Sequence, residues 1–326
     1  QTPFRTERFA EGISAALVQP TTVRFQEGLA LLSTELPQHI QAGESALLRS
    51  YWTLYAQAPQ RDYSSFVHLR NAAGRVIWEG GSFQPGGRAT SQWIEELYLE
   101  ERSPIDIPAT VPPGTYQLEL GLYDPETLTP LSVLNEAGNP VDARLIVGSV
   151  EVARPRAGAA VPEDAVLAAH AGLQLHRIEG IRDGQQSGEI LNIDWLWSTT
   201  DTPEQDWRIA LVWIDDQGTE RGSTGFADPA PDFATRAWNA GDVWLGAQRL
   251  YVPGDLESGR YTLALDWSDE SGEIAARTML NLTQQVNAPV RSYEQPETEF
   301  TSEAAWQNGL RLLGYSIDAS VSKLTL

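Results

Sequence analysis

The sequence predicts an all-β protein: two tandem antiparallel β-sandwiches followed by the first strands of a third unit. Three observations predict it. Apolar residues recur with period 2, a motif set repeats about 145 residues apart, and strand-like runs are spaced by turn residues with no βαβ alternation and no amphipathic helix. Tyr116, Leu118, Leu120 and Leu122 alternate with Gln117, Glu119 and Gly121, and Tyr261, Leu263, Leu265 and Trp267 with Thr262, Ala264 and Asp266. Such alternation puts one face in a core and the other in water. Trp207, Ile209, Leu211 and Trp213 share one face in the same way, and Ile193, Trp195 and Trp197 another. The 27 Gly and 20 Pro supply the turns. Asn71 to Gly74, Asp215 to Gly218 and Asp269 to Gly272 each set Asn or Asp ahead of a glycine able to take positive φ.

The internal repeat sets the boundaries. Thr90-Ser91-Gln92-Trp93 matches Thr235-Arg236-Ala237-Trp238, and at the same offset of 145 Pro108 meets Pro253, Gly114 meets Gly259, Tyr116 meets Tyr261 and Asp124 meets Asp269. Upstream the offset slips by one or two residues, pairing Trp52 with Trp195, Asp62-Tyr63 with Asp206-Trp207 and Gly74 with Gly218. The opening recurs three times, as Gly28-Leu29-Ala30-Leu31, Gly172-Leu173-Gln174-Leu175 and Gly309-Leu310-Arg311-Leu312. The division that follows is an extension 1–24, a sandwich 25–152, a Pro/Ala/Gly-rich linker 153–170, a second sandwich 171–286, a linker 287–306, and the start of an incomplete repeat at 307–326. Two strands bury no core, so that last segment is expected to pair outside its own unit or to belong to a longer polypeptide.

In both units a tyrosine enters a late strand just after a turn glycine, in Pro113-Gly114-Thr115-Tyr116 and Ser258-Gly259-Arg260-Tyr261. This resembles the tyrosine corner of immunoglobulin-like and fibronectin-III-like sandwiches. Asp62-Tyr63-Ser64-Ser65-Phe66-Val67-His68-Leu69, Val111-Pro112-Pro113-Gly114-Thr115-Tyr116 running on to Tyr123-Asp124, and Gly309 to Tyr315 together resemble a bacterial Ig-like repeat. That repeat occurs in tandem on extracytoplasmic surface proteins and in the C-terminal regions of dolichyl-phosphate-mannose-type membrane glycosyltransferases. The resemblance covers 27–152 well, 171–286 more loosely and 307–326 as a start. It implies an exported, non-catalytic module at the cell surface, part of a larger anchored protein. The second unit departs from the pattern, with Ala210-Leu211-Val212-Trp213 in place of Phe66-Val67-His68-Leu69. A contact face built on Phe66 and His68 is therefore expected in the first unit alone.

Length and composition bound the function. The 326 residues suit two cores, and 41% hydrophobic content with 11 Trp fills them. A net charge of −21, spread over both units, disfavours nucleic acid and anionic lipid. The absence of cysteine removes disulfides, thiolate metal sites and a cysteine nucleophile. No apolar run approaches a membrane span and Gln1-Thr2-Pro3 opens no signal peptide, so a targeting segment was removed or the chain is an excerpt.

No catalytic, cofactor or metal site is predicted. His170 and His176 are the only histidines close in sequence, and six residues across a linker-to-strand junction suit no ligand set. Nucleophile-elbow, phosphate-loop and dinucleotide motifs are missing, and Lys323 is the only lysine. Asp215-Asp216-Gln217-Gly218 and Asp269-Glu270-Ser271-Gly272 lack the alternating acids of a calcium loop and read as hairpin turns. Glu95, Glu96, Glu100 and Glu101 are the densest acids, with only Asp242 retained in the corresponding stretch. Binding potential lies in the aromatic residues: Trp78, Trp93 and Trp244 are candidate glycan-stacking residues, although Trp93 recurs as Trp238, which favours a structural role. Three functions follow: a cell-envelope spacer or assembly module, a carbohydrate-binding accessory region, and a strand-donating subunit. The expected partners are other protein chains or envelope glycans.

Overall fold

The computed structural model describes residues 4–5, 22–95, 97–290, 297, 299–302, 304–305, 311–318 and 323–325. The chain divides into two compact units, 1–288 and 289–326. The larger unit begins with β1 (Phe4–Arg5), β2 (Val23–Arg24), β3 (Leu29–Glu35), β4 (His39–Gln41), β5 (Ser45–Leu54), β6 (Ser64–Arg70) and β7 (Val76–Ser82). It continues with β8 (Leu97–Asp106), β9 (Gly114–Asp124), β10 (Thr129–Pro130), β11 (Val133–Leu134), β12 (Pro140–Asp142) and β13 (Leu145–Ala153). These strands build one sheet in the order β1-β8-β5-β3-β2 and another in the order β4-β13-β9-β6-β7. The second half comprises β14 (Ala168–His170), β15 (Leu173–Glu179), β16 (Gln185–Gln186), β17 (Ile190–Thr199), β18 (Arg208–Ile214), β19 (Glu220–Ser223), β20 (Val243–Tyr251), β21 (Gly259–Ser268) and β22 (Ile274–Asn287). Its sheets run β14-β15-β17-β20 and β16-β22-β21-β18-β19.

Strand order is the same in both halves, with β3, β5 and β8 answered by β15, β17 and β20, and β4 to β13 answered by β16 to β22. The all-β sandwich expected from the sequence is what the chain forms. One departure from a purely antiparallel plan occurs in each copy. The short β4 and β16, reached when the chain crosses from one sheet to the other, pair parallel with β13 and β22. Each sandwich encloses its own core, one around Trp52, Leu69, Leu118 and Leu120 and the other around Trp195, Trp197, Trp213 and Trp267.

The repeated motif residues hold equivalent backbone turns. Thr90–Gln92 and Thr235–Ala237 are single 3-10 turns. Their threonine hydroxyls accept the backbone N–H of Tyr63 and Trp207 at 2.8 and 2.7 Å. Asp62 and Asp206 accept the next N–H of each turn at 3.0 Å. The Tyr116 hydroxyl donates to the Pro112 carbonyl at 2.7 Å, and that of Tyr261 to the Glu257 carbonyl at 2.9 Å, each four residues upstream.

The sequence expects a linker at 153–170 to separate the two sandwiches, whereas both lie in one compact unit. The reason is the open edge of β20. A strand at a sheet edge presents unpaired N–H and C=O groups. The Leu245 N–H donates to the Thr110 carbonyl at 2.8 Å, and the Ala247 carbonyl accepts from Asn71 Nδ2 at 2.7 Å. Thr110 and Asn71 belong to loops of the first sandwich. The Arg75 guanidinium, on the same hairpin as Asn71, meets both Asp194 oxygens at 3.0 and 3.2 Å and the Gln248 carbonyl at 2.9 Å. Arg154, within the expected linker, pairs with Asp242 at 2.7 Å and lies over the rings of Phe233 and Trp244 at 5.4 and 5.5 Å.

Beside this edge, a Cβ at Gly246 would stand 1.9 Å from the Pro229 carbonyl oxygen and 3.3 Å from the Trp195 ring. Backbone cannot yield as a flexible side chain does. Gly246→Ala is therefore expected to lower stability by about 3 kcal/mol, read from urea unfolding, and an unchanged midpoint would contradict this packing.

The smaller unit is a three-stranded antiparallel sheet of β23 (Phe300–Thr301), β24 (Gly314–Asp318) and β25 (Lys323–Thr325). The segment 307–326 pairs with residues just before it in the same unit: β24 hydrogen-bonds to β23 as well as to β25. Gly309 and Leu310 of the third opening motif lie outside the described residues.

Candidate functional site

A groove of about 770 Å³ runs across the outward face of β9, β6 and β7 in the first sandwich. Alternation builds it. With Val67 and Leu69 committed to the core, Phe66, His68 and Arg70 face outward, and the register brings them opposite Gly121, Glu119 and Gln117 of β9. On the other flank Phe66 faces Gly81 and His68 faces Glu79 of β7. Phe66 fits because both neighbours are glycines. A Cβ at Gly121 would stand 2.4 Å from its ring, and one at Gly81 would stand 2.9 Å from its Cα.

The rings of Phe66 and His68 are 4.7 Å apart between centroids, and Tyr123 lies 6.4 Å from Phe66. Glu119, 2% exposed, is hydrogen-bonded to Arg70 Nε and sits 3.5 Å from His68 Nδ1. Phe83 and Leu128 stand on the rim, 78% and 73% exposed. The Leu128 backbone holds φ at 58°, an unusual conformation for a leucine.

The equivalent face of the second sandwich is lined differently. There Ala210, Val212, Ile214 and Ala264 occupy the positions of Phe66, His68, Arg70 and Glu119, and all four are buried. Asp266, in place of Gly121, is itself buried and ion-paired to Arg277. Phe66 and His68, expected from the sequence to form an outward face in the first unit, both line the groove there. Arg70, Glu119, Tyr123, Phe83 and Arg144 were missed as site residues in the sequence. The period-2 parity that places Phe66 and His68 outward places Arg70, Glu119 and Tyr123 there too.

The three tryptophans lie elsewhere, and two of them cannot stack on a glycan. Trp93 is 4% exposed, and its indole N–H donates to the Arg88 carbonyl at 3.1 Å; Trp238 repeats this bond to Phe233 at 3.2 Å. Trp244 is 1% exposed, beneath Arg154 and edge-on to Phe233 at 5.4 Å. Its failure to recur reflects its place at the junction of the sandwiches. Trp78 lies opposite the buried Leu69, half-buried on the core side of β7 and lying over Gly80. It is on the other face of the strand from Phe66.

Glu100 and Glu101 are neighbours on one strand and point to opposite faces; Glu100 meets Arg49 and Arg102, Glu95 is exposed, and Glu96 lies outside the described residues. Asp215 accepts the N–H groups of Gln217 and Thr219, and Asp269 that of Ser271, as hairpin turns require. His170 stands edge-on to Trp207 at 4.4 Å, while His176 meets Ser198 Oγ at 2.8 Å. Among the described residues no three His, Asp or Glu side chains are grouped to hold a metal ion, and no helix is long and apolar enough to cross a membrane.

Glu101 is the one deeply buried acid with a raised pKa. Burial holds its carboxyl above the usual range, opposed by hydrogen bonds from Ser65 Oγ at 2.5 Å and Trp52 Nε1 at 2.7 Å. The second sandwich has Gly246 at this position, and the strand register makes Trp197, not Trp195 as the sequence repeat suggests, the counterpart of Trp52; its Nε1 is left without a partner. A carboxyl raised on folding ionises first in the unfolded chain, so stability falls as pH rises from the unfolded value through the folded one. Glu101→Gln keeps both contacts without a charge. It is expected to stabilise the protein at pH 7 by about 1 kcal/mol, with the gain vanishing near pH 4, in thermal melts across that range; an equal effect at every pH would contradict it.

No protein-family model matches the chain, and no curated protein matches it in sequence. Fold and site define the class: a two-sandwich β protein with a groove on the outer face of its first sandwich.

Proposed function

We propose that this chain is a non-catalytic structural module of the cell surface, an extracytoplasmic spacer or assembly element of Ig-like repeats that holds its sandwiches at a fixed separation and angle. The observation that carries this is the docking of the first sandwich on the β20 edge by Thr110, Asn71 and Arg75. Ig-like character is supported by the shared strand order and by a tyrosine hydroxyl bonded four residues upstream in both copies. Domain interfaces within a chain are commonly loose, so a buried amide and a two-pronged guanidinium–carboxylate contact across one favour rigidity. Burial pushes the Asp194 carboxyl up, and Arg75 opposes that shift. Export of the module and its part in a larger anchored protein rest on the resemblance to the bacterial Ig-like repeat.

The test is thermal unfolding followed by calorimetry. The unaltered chain is expected to unfold its two sandwiches in one cooperative transition. Arg75→Ala, which leaves the half-buried Asp194 and the Gln248 carbonyl without this partner, is expected to lose about 1 kcal/mol and to separate the transition into two. Two independent transitions in the unaltered chain would contradict the proposal.

A further inference from the structure

We propose that the groove on the first sandwich binds a neutral saccharide, one pyranose ring seated against Phe66 and Tyr123. This goes beyond the spacer role and stands independently of how the sandwiches dock.

Three observations carry it. The fold does not require these residues. The second sandwich builds the same sheet in the same register with Ala210, Val212, Ile214 and Ala264, short apolar groups that bury themselves. Both copies bury one ion pair on this face, Arg70–Glu119 and Arg277–Asp266, but only the first keeps the Phe66 and His68 rings beside it on an open surface. Gly121 meanwhile leaves room for the Phe66 ring against β9, where any side chain would collide with it.

The chemistry of the lining selects the ligand. A pyranose has a face of C–H bonds that packs on an aromatic ring and a rim of hydroxyls that both donate and accept. Phe66 and Tyr123 supply rings, with a phenol group on the second. Arg70 and Arg144 offer planar donors and the exposed Glu79 offers acceptors, while Glu119 holds Arg70 in place from beneath. Two cations and two carboxylates balance, so the groove favours neither sign. With a net charge of −21, the protein as a whole repels an anionic glycan. An apolar peptide would leave these polar groups desolvated and unpaired. A groove of about 770 Å³ also matches the size of small-molecule sites.

The test uses the full chain on an array of neutral hexose and N-acetylhexosamine oligosaccharides beside sulfated and uronic-acid ones. The strongest neutral binder is then titrated by calorimetry. Binding of at least one neutral oligosaccharide is expected, weakened tenfold or more by Phe66→Ala and by Tyr123→Ala. Circular dichroism checks that each variant folds. Should either fail, the exposed Glu79→Ala and Arg144→Ala carry the test, with a loss of threefold or more expected from each. No neutral glycan bound, binding confined to anionic glycans, or affinity unchanged in folded variants would each overturn the proposal. The docking proposal would survive all three.

Discussion

The unpaired edge of β20 is the constraint on which the larger unit depends. Its N–H and C=O groups need partners, and the first sandwich supplies Thr110 and Asn71 to the Leu245 and Ala247 positions. An edge left bare invites pairing with another chain, and covering it turns a liability into a junction. In the first sandwich the corresponding edge is β8, where β1 pairs through Phe4 with Tyr98 and through Arg5 with Leu97. Pro104 stands farther along that strand, where a missing N–H removes one donor from the edge. Both copies thus protect the same edge with chain that precedes them.

With the edge covered, the two copies are free to differ in what they do not share. The first places Glu101 between Trp52 and Ser65 in its core. The second gives up the carboxylate for Gly246, whose lack of a side chain lets the Pro229 carbonyl approach the strand. The first keeps an open, charged and aromatic outer face, while the second closes its own with small apolar residues and the Asp266–Arg277 pair. The division is between a copy that supports and a copy that presents a surface.

Period 2 and the repeat made the fold legible, because a strand facing a core on one side must alternate and a duplicated sandwich must reuse its turn residues. Asp62, Thr90 and Trp93 recur because they close one backbone turn, which is also why Trp93 cannot serve as a platform. Phe66 and His68 were legible by their loss from the second unit. Glu119 and Arg70 were not: within an alternating strand they look like ordinary solvated positions, and only the pairing of β6 with β9 brings them together. The docking was hidden for a related reason. Asn71 and Arg75 read as a hairpin turn, which they are, and nothing local marks a turn whose side chains reach a strand more than a hundred residues away.

The claim at the centre of this account is that the two sandwiches form one rigid body through the β20 edge. Because the chain has no cysteine, Thr115→Cys and Arg260→Cys introduce unique spin-label sites at equivalent exposed strand positions of the two copies. Pulsed electron resonance between the labels should give one narrow distance distribution that broadens when Arg75 is replaced by alanine. A broad distribution with Arg75 in place would contradict the account.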